Sequence, residues 1–228
     1  QLIQALGGDP TKIVFAHLSL MTGAAGEGLS KREGSLSLRD MRAEGVEPMA
    51  INALLARLGT PDPVEPVAGL QDLIETFDLS RFGRATPKFD PADLWRLNHS
   101  ILAGLTFADV QARLPSGATE AEWQAVSGNL EKFDDFAEWQ TLWTQDLTPI
   151  VEEPDYIAAA AAALPPEPWD GSTWKAWTTA VREATGRKGK ALFRPLQLAL
   201  TAREHGPEMA ALLPLIGRER ALNRLIGR

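Results

Sequence analysis

The distribution of apolar and polar residues along the chain predicts a succession of amphipathic helices. The clearest pattern lies between Pro48 and Gly59, where apolar residues occur at the helical spacings i, i+3, i+4 and i+7: Ile51, Leu54, Leu55 and Leu58. Proline is favoured in the first turn of a helix and glycine just after the last, so these two residues mark the predicted ends. Similar patterns predict helices over 69–78, 91–103, 107–113, 119–133 and 135–146.

The C-terminal part of the chain continues this helical pattern. A helix is predicted over 192–204, with Pro195 near its start, Gly206 just past its end, and an apolar stripe made of Leu192, Phe193, Leu196, Ala199 and Leu200. Two shorter helices are predicted over 207–216 and 217–226.

Strand-like alternation is scarce. The best strand candidate is the β-branched and aromatic run at 13–18, which follows a Gly-Gly-Asp-Pro turn. We therefore expect a mainly α-helical chain with its β-structure confined to the region before Lys31. Proline-rich stretches at 60–66 and 164–168 interrupt the helical patterns and indicate connections between helical regions.

Composition narrows the class of protein. The 228 residues include 23 Lys and Arg, 30 Asp and Glu and no cysteine, which excludes a disulfide framework and thiolate metal sites. The three histidines, His17, His99 and His205, lack ligand spacing, so no metal site is predicted. No apolar run approaches the ~20 residues of a membrane helix, and we expect a cytoplasmic protein that does not contact a membrane.

Charge is distributed unevenly along the chain. Residues 181–228 carry ten Lys or Arg against four Glu, a net charge of +6 within a chain whose net charge is −7. Such asymmetry suits a protein that presents one basic surface to a polyanion, although a solvated helical end has the same composition.

A glycine-bracketed loop at 26–34 provides the first candidate chemistry. It contains Leu29, Ser30, Lys31 and Arg32, which bring a hydroxyl group and two cations to a flexible backbone. These features suit the binding of a phosphate, but an ordinary exposed loop shares them. The segments on either side of the loop make it more specific. Residues 15–20 read F-A-H-L-S-L, 28–32 read G-L-S-K-R, and 50–59 read A-I-N-A-L-L-A-R-L-G.

In order and spacing, these segments resemble the bacterial glutamyl-tRNA synthetases, class I ligases that use ATP to attach glutamate to tRNA. The middle segment resembles their KMSKS-like loop, usually K-L-S-K-R, with Gly28 in place of its first lysine. The resemblance continues through 77–81, 87–90 and 97–99. It is most specific at 186–196, G-R-K-G-K-A-L-F-R-P-L, which is followed by Leu200 and Thr201.

The resemblance implies a domain order for a chain that lacks most of the catalytic domain. Residues 1–33 would be the end of the class I catalytic domain with its KMSKS-like loop, and 34–85 a helical stem-contact domain. Residues 86–164 and 165–228 would be two subdomains of an α-helical-cage anticodon-binding domain. The chain would then be the C-terminal portion of a longer enzyme, inactive by itself.

The resemblance also implies roles for individual residues. Lys31 would be the catalytic cation on ATP, and the ATP-binding residues would be Leu29, Ser30, Lys31 and Arg32. The tRNA contacts would include Asn98, Arg187, Lys188, Lys190 and Arg194. The whole enzyme would use ATP with Mg²⁺, whereas this portion would hold no tight cofactor. Its partner would be a glutamate tRNA, with the glutamine tRNA left open, and the protein would be a monomer.

Two other classes of function stay open from the residues alone. The chain could be a stand-alone, noncatalytic RNA-binding helical module. It could also be a helical protein-interaction scaffold without an RNA ligand.

Overall fold

The computed structural model describes residues 1–29, 37–67 and 69–227. The chain divides into two compact units, 1–101 and 102–228, and each has its own hydrophobic core. This division is coarser than the four predicted domains, whose boundaries stay predictions. None of the helices within the described residues has the length and apolar character needed to cross a membrane.

The first unit combines short helices with two very short strands. Its elements are α1 (Leu2–Ala5), a 3-10 turn (Pro10–Lys12), β1 (Thr22–Gly23), α2 (Leu38–Ala43), α3 (Pro48–Arg57), α4 (Leu70–Thr76), a 3-10 turn (Leu79–Arg81), β2 (Lys88–Phe89) and α5 (Pro91–Gly104), whose last residues belong to the second unit.

Local sequence explains α3 and its burial. Pro48 occupies the first turn as predicted, and the helix buries one face through Ala50, Ala53 and Leu54. These side chains belong to the first core, together with Leu73, Leu94, Leu97 and Ile101. The helical periodicity of this segment therefore predicted the element correctly.

The strand predicted at 13–18 is wrong. The segment has no regular secondary structure, and its apolar side chains face solvent, with Val14 82% and Phe15 77% exposed. The strands that do form are β1 and β2, a parallel pair in which Thr22 lies opposite Lys88. Strand β2 also corrects the expectation that β-structure ends before Lys31. A strand needs a partner strand for its backbone groups, and the local pattern does not specify one.

Helices and 3-10 turns are the regular secondary structure of the second unit within its described residues. After the end of α5 it contains α6 (Phe107–Val110), α7 (Glu120–Val126), a 3-10 turn (Ser127–Asn129), α8 (Asp135–Thr144), α9 (Pro154–Ala162), α10 (Thr173–Thr185), α11 (Lys190–Thr201), α12 (Met209–Ile216) and α13 (Arg218–Leu225).

Its core is built around tryptophans whose indole groups are hydrogen-bonded. Trp123 and Trp177 are each 1% exposed. Their Nε1 atoms donate to the carbonyl oxygens of Leu105 at 2.8 Å and Ala160 at 2.9 Å. Burial of these large rings removes much apolar surface from water without leaving an indole N–H unpaired.

Several predicted boundaries in this unit need correction. Helices α6 and α7 end at Val110 and Val126, earlier than the patterns predicted. Helix α11 begins at Lys190, so Pro195 lies in its interior, and it ends at Thr201, followed by Ala202 with a φ of 54°. Gly206 does not end this helix. A Cβ atom at this position would lie 3.1 Å from the Trp139 ring, so close packing explains the glycine there.

Candidate nucleic-acid interface

A basic loop joins α10 to α11, and two glycines shape it. Gly186 ends α10 with a φ of 70°, and Gly189 precedes α11 with a φ of 55°. Both lie in the left-handed region that favours glycine. The loop therefore turns within a few residues and brings Arg187, Lys188 and Lys190 onto one short stretch of surface.

The two lysines of this loop are its accessible cations. Lys188 and Lys190 are exposed, and within the described part of the chain neither ammonium group takes part in a hydrogen bond or a close ion pair. The charge of Lys190 contributes to lowering the pKa of Glu204, although it is the smallest of the contributions there. Their ammonium groups can approach a phosphate without first breaking an internal contact.

Arg187, in contrast, is held by three internal contacts. Its Nη2 atom donates to Glu153 Oε2 at 2.5 Å, and its guanidinium lies 4.1 Å from the centre of the Tyr156 ring. Its Nη1 atom donates to the Ala191 carbonyl oxygen at 3.4 Å. In a regular helix the residue at 195 would donate to that carbonyl, but proline has no N–H. Arg187 thus partly compensates for Pro195.

Tyr156 supports this contact from the core. Its hydroxyl donates to the Leu192 carbonyl oxygen at 2.6 Å, and burial raises the pKa of Tyr156 to about 12. The phenol therefore stays neutral at physiological pH. The ring forms a fixed platform for the Arg187 guanidinium.

Arg194 lies between two acidic segments. Its guanidinium donates to both carboxylate oxygens of Glu152, the longer bond being 3.2 Å, and to Glu204 Oε1 at 2.7 Å. These bonds raise the pKa of Arg194, Glu152 having the larger effect. The hydrogen bond from Arg187 lowers the pKa of Glu153, and that from Arg194 lowers the pKa of Glu204. Glu153 and Glu204 are therefore ionised at neutral pH, and both arginines keep their charge.

The predicted contact Asn98 lies elsewhere, on α5, and has no exposed surface. Its Oδ1 atom accepts a hydrogen bond of 2.7 Å from the backbone N–H of Glu47, which precedes α3. This geometry favours a structural role in fixing the start of α3 against α5. The role of Asn98 toward RNA stays a prediction.

Of the predicted ATP-binding residues, only Leu29 lies within the described part of the chain, and Ser30, Lys31 and Arg32 lie outside it. Leu29 lines an open groove of about 600 Å³ in the first unit, together with Leu18, Ser19, Leu20, Met21, Gly28, Leu55, Leu58, Gly59, Phe82, Gly83 and Pro87. The described lining carries no charged side chain. Any phosphate-binding charge at this loop must come from the residues after Leu29.

The N-terminal segment also exposes apolar side chains. Leu2, Leu6, Val14, Phe15 and Leu20 are each more than 75% exposed. Exposed apolar residues grouped in this way are typical of a surface that another protein region covers.

Sequence reasoning missed the acidic partners of the basic loop. The sequence patterns do not single out Glu152, Glu153, Tyr156 or Glu204. An adjacent pair of acids before a proline is a weak signal, because it does not show which cations the folded chain brings nearby.

Comparison with known protein families finds a match within the second unit. A family model described as an anticodon binding domain matches residues 124–226. This segment is similar to anticodon binding domains, and it contains α8 to α13, the basic loop and its acidic partners.

The relatives extend the match to the whole chain. Glutamate–tRNA ligase 1 of Parvibaculum lavamentivorans is 53% identical over 232 residues, covering 100% of this chain and 51% of the relative. Glutamate–tRNA ligase 1 of Rhodospirillum rubrum is 49% identical over 229 residues, covering 100% of this chain and 51% of the relative. The chain is similar to glutamate–tRNA ligases along its whole length, as the sequence motifs predicted, and it spans about half the length of the curated relatives it matches.

Solved structures agree in fold. A glutamate tRNA ligase from Elizabethkingia meningosepticum in complex with its amino acid has a TM-score of 0.72 and 20% identity, covering 98% of this chain and 52% of that one. The glutamate–tRNA synthetase of Elizabethkingia anophelis has a TM-score of 0.67, with the same identity and coverage. At this level of identity the likeness shows the shared fold.

Proposed function

We propose that the second unit binds tRNA and that the basic loop between α10 and α11 supplies part of the phosphate contact. The observation that carries this proposal is the exposure of Lys188 and Lys190 on a glycine-shaped loop inside the anticodon-binding segment. Lysine is a mobile point charge that suits backbone phosphates, which position an RNA without reading its sequence. Arg187 and Arg194 take part only where an RNA phosphate displaces their carboxylate partners.

For the whole protein we propose an ATP-dependent glutamate–tRNA ligase, the activity named for the relatives. Ser30, Lys31 and Arg32 offer the hydroxyl and cationic donors that fit a triphosphate, and Mg²⁺ would supply further charge neutralisation. Lys31 would stabilise negative charge that develops on the phosphates during glutamate activation. Leu29 would position this loop through the apolar groove that it lines.

Two experiments test these proposals separately. Binding of a glutamate tRNA to the chain, measured across a salt series, should show low affinity that weakens further as salt is added. In the full-length enzyme, Lys31→Ala should lower glutamate-dependent ATP–pyrophosphate exchange by about 10² or more. An unchanged exchange rate would remove Lys31 from the mechanism and leave the tRNA proposal standing.

Further details of this function are also proposals. The protein would act as a monomer in the cytoplasm and charge the glutamate tRNA. Aminoacylation of purified glutamate and glutamine tRNAs by the full-length protein distinguishes a strict enzyme from one that charges both. Sedimentation in the same buffer tests the monomer.

The exposed apolar N-terminal residues favour a second candidate, a helical protein-interaction scaffold. A scaffold without an RNA ligand would show no retention of tRNA at low salt. Replacing Val14 and Phe15 by serine should then abolish a protein contact while leaving the second unit intact.

A further inference from the structure

The arginines of the basic loop region already have anionic partners. Glu153 binds Arg187, and Glu152 and Glu204 both bind Arg194. Carboxylates and phosphates use the same planar donor geometry of arginine. The three carboxylates thus occupy donors that an RNA phosphate would otherwise use.

Acidic side chains offset much of the positive charge around the basic loop. The sequence places four cations in this region, Arg187, Lys188, Lys190 and Arg194, and the fold brings the three carboxylates to them. The side chains are partly exposed, between 29% for Arg187 and 59% for Glu204. Water and a competing phosphate can therefore reach the pairs. When an arginine changes partner, however, its former carboxylate stays nearby and repels the incoming phosphate.

We infer that Glu152, Glu153 and Glu204 determine the RNA specificity of this surface by weakening its attraction for phosphates in general. This inference rests on the proposed tRNA binding. An RNA that makes additional contacts elsewhere on the domain offsets the repulsion, whereas an unrelated RNA does not. Specificity of this kind comes from a repulsive element placed against the wrong ligands.

The test uses the double variant Glu152→Gln, Glu153→Gln, because glutamine keeps the shape and an acceptor oxygen while removing the charge. A matched control, Glu120→Gln with Glu219→Gln, removes two exposed charges from the same unit that do not belong to the Arg187 and Arg194 ion pairs. Affinities for a glutamate tRNA and for poly-cytidylate are measured between 50 and 200 mM salt. Circular dichroism shows that each variant is folded.

The double variant should bind both RNAs more tightly than the parent at 50 mM salt, with the larger gain for poly-cytidylate. The variant releases Arg187 fully and Arg194 only partly, because Glu204 remains, so the log–log salt slope should rise by roughly 0.7–1.8, at ~0.7–0.9 per phosphate contact. The advantage of the variant over the parent should therefore shrink roughly three- to tenfold by 200 mM. Glu204→Gln alone, which frees Arg194 only partly, should give a smaller change in the same direction.

Three results would overturn the inference: affinities equal to those of the parent, an equal gain in the control variant, or a gain restricted to the glutamate tRNA. A different result would contradict the proposed function: a parent chain that binds poly-cytidylate as tightly as it binds the glutamate tRNA. If the parent shows no such preference but the double variant still binds both RNAs more tightly, the carboxylates weaken phosphate binding and the proposed tRNA function is wrong. Absence of binding by both proteins at 50 mM would overturn both proposals.

Discussion

Arg224 on α13 donates a hydrogen bond of 2.8 Å to the carbonyl oxygen of Leu142, near the end of α8. The same guanidinium donates to Gln145 at 3.0 Å and to Leu200, near the end of α11, at 2.7 Å. The last carbonyls of a helix lack an intrahelical donor and carry its negative dipole end. A single side chain, 2% exposed, therefore joins the ends of two helices to a third.

Arg224→Met should destabilise the second unit by about 3 kcal/mol or more. Each buried acceptor that loses its donor costs about 1–3 kcal/mol, and this change removes the donor from three. Burial lowers the pKa of Arg224 to about 10, so the group stays charged at pH 7. Urea unfolding followed by circular dichroism measures the loss.

Arg220→Met provides the control for Arg224. Arg220 lies one turn earlier on α13, and within the described residues it makes one hydrogen bond, to the Ile216 carbonyl oxygen at 3.2 Å, and one long ion pair, with Asp146 at 3.9 Å. We expect a loss of less than about 1.5 kcal/mol, the ordinary range for one bond. Equal losses in the two variants would contradict the role assigned to Arg224.

Replacing Lys188 and Lys190 by alanine should flatten the salt dependence of tRNA binding without loss of stability. Two phosphate contacts correspond to a change of roughly 1.4–1.8 in the log–log slope. The matched control is Lys12→Ala with Lys132→Ala, which removes two exposed cations outside this loop. Identical slopes in the lysine variant and the parent would reduce the loop to a solvated turn.

Gly206→Ala should destabilise the second unit by about 1–3 kcal/mol, the usual range for overpacking. The added Cβ would lie 3.1 Å from the Trp139 ring. This ring also packs against the Arg203 guanidinium, whose central carbon lies 4.5 Å from the ring centre. Gly128→Ala is the control, because a Cβ there meets no atom within 4 Å. Thermal unfolding compares the two variants. Equal melting temperatures would show that the Trp139 ring moves aside without a loss of stability.

Asn98→Ala should destabilise the first unit by about 1–3 kcal/mol, because the Glu47 N–H loses its acceptor in a partly buried position. Ser100→Ala, on the exposed side of α5, should change stability by less than about 0.5 kcal/mol. Affinity of the folded variant for tRNA distinguishes the two roles of Asn98. If Asn98 has only a structural role, the folded variant binds tRNA with unchanged affinity. A lowered affinity of the folded variant would support the predicted contact of Asn98 with RNA.

Acidification should lower the stability of the parent more than that of the Glu153→Gln variant. The hydrogen bond from Arg187 lowers the pKa of Glu153 in the folded protein below the ordinary value of an unfolded glutamate. Its contribution to stability is therefore present above that value and is lost as pH falls through the lower, folded-state pKa. Between pH 5 and pH 3 the melting temperature of the variant should fall less than that of the parent. Glu219→Gln should follow the parent, and parallel curves for all three proteins would contradict the ion pair.

The amino-acid sequence by itself determined the helical class and the resemblance to the glutamate–tRNA ligases. Helix α3 formed at Pro48–Arg57 as its periodicity predicted, and α5 formed at Pro91–Gly104. Helical periodicity depends on residues three and four positions apart, so a local pattern is sufficient to predict it. The pattern was insufficient for α9, an alanine-rich helix with little contrast between its faces, and for the run at 13–18, whose conformation depends on a partner strand.

Only the tertiary structure decided which of the basic residues are accessible. Arg187 meets a glutamate 34 positions away and Arg194 one 42 positions away, while Arg224 reaches a carbonyl 82 positions away. A charge count over 181–228 registers these side chains as equal cations. Their difference arises from Coulomb forces and hydrogen bonds that act over a few ångströms in space, between residues that only the path of the folded chain brings together.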